Sequence, residues 1–186
     1  MIAGLLEPSR LPALGPGRRD SKLAMRLRSL SAADLFSHAR VTDTSMAAAC
    51  LAGLWLHADG LDESHAISQT IENATGSFWH GIMHRREGDF GNAKYWFRRV
   101  GQHPVFGSLG VGARELAKRF ESQEGAAIAR QSSWDAGRWI DLCQLAQESS
   151  HSGPTVQGAD LVDFCLNVQV LEWGLLFDYS YQRAVS

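Results

Sequence analysis

Between Ser77 and Gly101 lie two helix-length segments, SFWHGIMHRRE and FGNAKYWFRRV, joined by the dipeptide Gly88-Asp89. A link this short forces the two segments to fold back on one another. Gly88 supplies the left-handed residue that ends the first helix, and Asp89 can cap the second. Gly81 and Ala93 are small where the two helices must approach closely. Ala93, Phe97 and Val100 stand at i, i+4 and i+7, so they share one helical face. Gly101, followed by His103-Pro104, ends the pair.

The rest of the chain is punctuated in the same way. A short basic helix is expected over 22–30, then a turn of helix opened by Ser31 and Asp34. Asp43 can cap TSMAAACLAGLWLHA, which is apolar nearly all round and therefore central. Leu61 opens ESHAISQTIEN. A stretch with Gly107, Gly110 and Gly112 separates the hairpin from a helix near 112–121, and two more helices are expected near 135–148 and 159–181. SSHSGPTVQG between these last two reads as a loop. No segment sustains alternation at period two, so no sheet is expected. The fold class is all-α, a compact bundle of about seven short helices. Residues 1–20, broken by Pro8, Pro12 and Pro16, read as an irregular, mobile arm, and residues 21–186 as a single α-helical domain.

Length and charge narrow the function classes. A chain of 186 residues is long enough for one unaided core. No apolar run reaches the roughly 18 residues of a membrane span, so no membrane role is expected. The net charge is −2, which offers no footprint for duplex nucleic acid. The charge is uneven, +4 over residues 1–40 and −5 over 131–186, consistent with an arm attracted to the last helix. Cys50, Cys143 and Cys165 are widely spaced, and no CxxC occurs. They read as free apolar thiols of a cytoplasmic protein. The N-terminus makes a poor secretory signal. Oligomeric state is left open.

Residues 74–107 resemble one tetratricopeptide repeat in Trp79, Gly81, Gly88-Asp89-Phe90, Ala93, Phe97 and Pro104. The resemblance implies a tetratricopeptide-like antiparallel hairpin. Gly53 and Gly60 precede Gly81 and Gly88 by 28 residues, which hints at an earlier hairpin. The longer string WHGIMHRREGDFGNAKYWFRRVGQHPVF is similar to a segment of a family of uncharacterised bacterial and fungal proteins, which implies no activity.

Several side chains can carry chemistry. His80, His84 and Glu87 fall at i, i+4 and i+7 on one face, and two imidazoles one turn apart can ligate one metal ion. The spacing is not that of HExxH, because Gly81 follows the first histidine. The structural alternative is two partly buried, hydrogen-bonded histidines. His65, Gln69 and Glu72 repeat the spacing on the preceding helix. On the last helix Asp163, Asn167, Gly174 and Asp178 cluster within roughly 60° as a wet face, and Glu172 projects almost opposite. A carboxylate there needs a partner, for which Arg85, Arg98, Arg99 and the histidines are candidates. Tyr95, Trp96, Arg98 and Arg99 mix aromatics and cations in a way that suits an anion or a stacked base. No phosphate loop and no GxSxG occurs.

Two classes of function follow. One is a module that binds a small molecule or a protein partner in a pocket lined by His65, Gln69, Trp79, His80, His84, Glu87, Trp96, Arg99 and Glu172. The other is a metal-assisted hydrolase that uses His80, His84 and a nearby carboxylate, with a divalent metal as its only cofactor. The first class needs no cofactor. No catalytic residue is assigned.

Overall fold

The computed structural model describes residues 13–120, 122–151 and 156–185. Among these residues there is no strand, and the chain folds as α-helices in the order α1 (Ser21–Arg28), α2 (Ala32–Leu35), α3 (Thr44–His57), α4 (Leu61–Ser68), α5 (Ala74–Glu87), α6 (Phe90–Val100), α7 (Val105–Ala117), α8 (Gln123–Ala129), α9 (Ala136–His151) and α10 (Val156–Val185). Ten helices stand where about seven were expected, because single-turn and two-turn pieces such as α2 and α8 add to the count.

Side-chain caps set most of the starts. Asp20 accepts the backbone N–H groups of Lys22 and Leu23, and Asp43 those of Ser45 and Met46. Helix α5 begins three residues earlier than Ser77, because the Asn73 side chain accepts from Gly76. The break expected at Gly107, Gly110 and Gly112 does not occur, since all three lie inside α7, which starts directly behind Pro104. Gly112 lets α7 approach Leu171 of α10. Part of SSHSGPTVQG is helical, residues 149–151 closing α9 and 156–158 opening α10, and the remainder lies outside the described residues.

Helix α10 is the spine, packed against α3, α7 and α9. Helix α3 is central as its apolar circumference requires, with Ala49, Cys50, Leu54 and Leu56 fully buried. The Trp173 indole donates to the Gly53 carbonyl at 2.8 Å, and the Trp79 indole donates to Ser180 Oγ at 3.3 Å. A Cβ at Gly53 would lie 2.8 Å from the Trp79 ring, so only glycine admits the indole there. The three cysteines are free and buried, and burial pushes the Cys50 thiol up to about 12.

The described part of the arm, residues 13–20, rests on the helices. Leu14 is buried, Gln169 donates to the Ala13 carbonyl at 3.0 Å, and Gln147 donates to that of Leu14 at 3.1 Å. Arg19 pairs with Glu63. Residues 1–12 lie outside the described residues.

Two ion pairs are buried in this core. Arg85 holds Glu172 through both carboxylate oxygens, at 3.1 and 2.5 Å, with both side chains fully buried. The Arg85 guanidinium also lies 5.2 Å from the centre of the Trp139 ring. Burial opposes its charge, but the Glu172 carboxylate outweighs that effect and keeps it protonated. Arg86 pairs with Asp59 and donates to the Leu56 carbonyl at 2.7 Å. Asp59 sits at φ 56°, in the left-handed region that aspartate enters more readily than most residues.

Removing one partner of a fully buried pair leaves an uncompensated charge. Glu172→Ala should therefore lower the unfolding free energy by about 3–5 kcal/mol in urea titration. The double variant Arg85→Met/Glu172→Leu should recover most of the loss, and equal losses in the two variants would contradict this account.

Candidate metal centre

The site is built by three consecutive helices. Helices α5 and α6 run antiparallel, because His84 meets Asn92, His80 meets Trp96, and a Cβ at Gly81 would lie 2.7 Å from the Phe97 ring. Gly88, at φ 91°, caps α5, and Asp89 accepts the Asn92 N–H to start α6. On the other side α4 brings His65 against the same face of α5. Its ring centre lies 4.7 Å from that of His80 and 5.4 Å from that of His84. His80 and His84, one turn apart, stack at 4.7 Å. One ligand atom from each of the three imidazoles lies within 4.8 Å of the others.

His80 is at the centre of this cluster and is 2% exposed. Neither of its ring nitrogens has a hydrogen-bond partner among the described residues. Trp96 lies nearly parallel to it, with ring centres 4.0 Å apart. Burial lowers the His80 pKa to about 4, and the neighbouring His84 and His65 add to the shift. The ring is therefore neutral at pH 7 and has a free lone pair.

His84 is oriented rather than orphaned. Its Nδ1 lies 2.6 Å from Glu87 Oε1, which places the proton on Nδ1 and the lone pair on Nε2. The Asn92 amide nitrogen lies 3.1 Å from that Nε2. A carboxylate behind a histidine is the arrangement that fixes imidazole ligands of metal ions. One oxygen each of Glu87 and Asp89, at the exposed rim, also lies within 4.8 Å of a His84 nitrogen. A tetrahedral ion with bonds of about 2.0–2.1 Å holds its nitrogens roughly 3.4 Å apart, so small side-chain rotations would close the cluster around one.

The structure thus brings His65, His80, His84, Glu87 and Trp96 together. The other residues expected in the site lie elsewhere. Gln69 is exposed just past the end of α4, and Glu72 is exposed beyond it. Trp79 is fully buried in the core against Gly53 and Ser180. Glu172 is committed to Arg85, one of its expected partners. Arg99 lies 5.1 Å above the Trp96 ring at the surface, one layer out from His80. Asn92, which no spacing in the sequence marks, reaches His84 across the hairpin.

Another buried histidine, His103, is fully engaged. Its Nδ1 accepts the Val105 N–H at 3.3 Å, so its Nε2 donates to Thr75 Oγ1 at 3.2 Å. Burial lowers its pKa to about 4.

Comparison with protein-family models, with curated proteins and with solved structures returns no match.

Both depressed histidines bear on stability. Each binds its proton less readily in the folded than in the unfolded chain, whose ordinary value is near 6.5. Their contribution is complete above pH 6.5 and is lost as pH falls toward about 4. Chelator-treated protein should lose unfolding free energy steadily across this window, and His80→Phe should flatten the slope. Equal slopes for His80→Phe and the parent chain in urea titrations at stepped pH would refute the assignment.

Proposed function

We propose that His65, His80 and His84 form a divalent transition-metal centre, and that the chain uses it for metal-assisted hydrolysis. The observation that carries this reading is His80, a neutral imidazole 2% exposed whose nitrogens have no hydrogen-bond partner among the described residues and whose ring lies against two other imidazoles. A buried polar ring without a hydrogen bond is costly, and a metal ion removes that cost at one nitrogen. Three imidazoles suit zinc, copper, iron or nickel. Three protein ligands leave a fourth position for water, as in catalytic rather than structural zinc sites. A bound ion would supply hydrolytic chemistry here by lowering the pKa of a water toward neutrality. Glu87 is the carboxylate of the site, and its place behind Nδ1 of His84 suits it to orienting that ligand.

The other class expected from the sequence has less to support it. A tetratricopeptide-like module that binds a small molecule or protein partner needs a groove lined by Trp79, Trp96 or Tyr95, and of these only Tyr95 is an exposed large aromatic. Trp79 is core, and Trp96 lies flat on His80.

The test is calorimetric titration of chelator-treated protein with Zn2+. One ion per chain is expected, with binding lost in His80→Ala and weakened about 10–100-fold in Glu87→Gln. At 100 times its dissociation constant the ion should add about 2.7 kcal/mol to stability. Protein that takes up no Zn2+, or a His80→Ala variant that binds it as the parent does, would remove the centre. Metal-loaded protein inert toward activated esters and phosphodiesters would remove the hydrolytic reading and leave the centre.

A further inference from the structure

A second hollow opens on the opposite side of α6. It lies between α6, α7 and the loop that enters α9, and its volume is about 760 Å³. That size suits a small organic molecule. Lys94, Phe97, Arg98 and Gly101 line it at i, i+3, i+4 and i+7, a face roughly opposite that of Asn92 and Trp96. The hollow is therefore separate from the imidazole cluster.

Its walls are aromatic and its charge is unbalanced. Phe97, Phe106 and Trp134 supply the apolar surface. Gly107, inside α7, leaves open space, since a Cβ there would meet nothing within 4 Å. Two cations line the hollow, Lys94 and Arg98, against one acid, Asp135. Lys94 is held by Asp141. Asp135 is engaged at the start of α9, where it accepts the Arg138 N–H at 3.0 Å. Arg98 is exposed and makes no hydrogen bond or ion pair among the described residues. His103 also lines the hollow and adds no charge at neutral pH, because burial keeps it unprotonated. One uncommitted guanidinium therefore stands at the edge of an aromatic recess, with the exposed Ser132 and Ser133 beside it.

We propose that this hollow binds a small aromatic anion, its ring system against Trp134 and Phe106 and its carboxylate, sulfonate or phosphate group on Arg98. Guanidinium recognises such groups through paired, charge-assisted hydrogen bonds. The ring supplies apolar burial, and Arg98 supplies the preference for charge. This site is independent of the metal centre.

Two fluorescent probes of similar size test it, the anion 8-anilinonaphthalene-1-sulfonate and the uncharged N-phenyl-1-naphthylamine. The sulfonate should bind the folded chain saturably, one per chain, and at least about fivefold more tightly than the neutral probe. Arg98→Gln, a surface change that spares the fold, should weaken the sulfonate roughly tenfold and leave the neutral probe unchanged. Gly107→Leu fills the recess and removes a helix-interior glycine, so helicity should be kept while both probes are lost. Chelator should change none of these values. Equal affinity for the two probes, an unchanged sulfonate affinity in either variant, or loss of binding on chelation would each overturn the proposal.

Discussion

The candidate centre depends on one close approach, that of α5 to α6 at Gly81. The Phe97 ring occupies the space a side chain would take at that position. This contact sets the helices near enough for Trp96 to lie flat on His80 and for Asn92 to reach His84. The turn at Gly88-Asp89 sets the register, since any longer connection would let the two faces slide. Glycine is required at position 88 by its φ of 91° and at 81 by space, two different reasons on one hairpin.

Helix α5 also buries more polarity than a core helix usually does. His80, His84, Arg85 and Arg86 are all buried within two turns. Three of them have found partners: Glu87 for His84, Glu172 for Arg85, and Asp59 with the Leu56 carbonyl for Arg86. The two arginines tie α5 to α10 and to the end of α3, so the helix is held on both flanks. Among the described residues, His80 alone of the four lacks a hydrogen-bond partner. A helix anchored so firmly elsewhere can hold one unsatisfied imidazole in place, and rigid support of this kind keeps a ligand set preorganised.

Much of the local structure was legible in the residues. The caps at Asp43 and Asp89, the stop at Gly88 and the inward carboxylate of Glu172 each follow from short-range chemistry that a sequence displays directly. The glycines of α7 were misleading, because glycine in a row signals a break when read locally but also serves close packing. Gly112 lies under Leu171 of α10, a contact between residues 59 positions apart that no local pattern reports. The histidine pair on α5 was visible as a spacing. His65 beside that pair and Arg85 for Glu172 were each one candidate among several, and the choice among them depends on how separate helices cross.

What the chain determined by itself is its helical character and the existence of a Gly-Asp hairpin, since capping, turn chemistry and 3.6-residue periodicity act within a few residues of each other. Only the tertiary structure decided which polar groups became neighbours. It sent Glu172 to a guanidinium, Trp79 to the core, and three imidazoles to one another. The reason is that interhelical packing is set by shape, the room at a glycine and the bulk of an indole, while the chemistry of a site depends on distances that such packing fixes last.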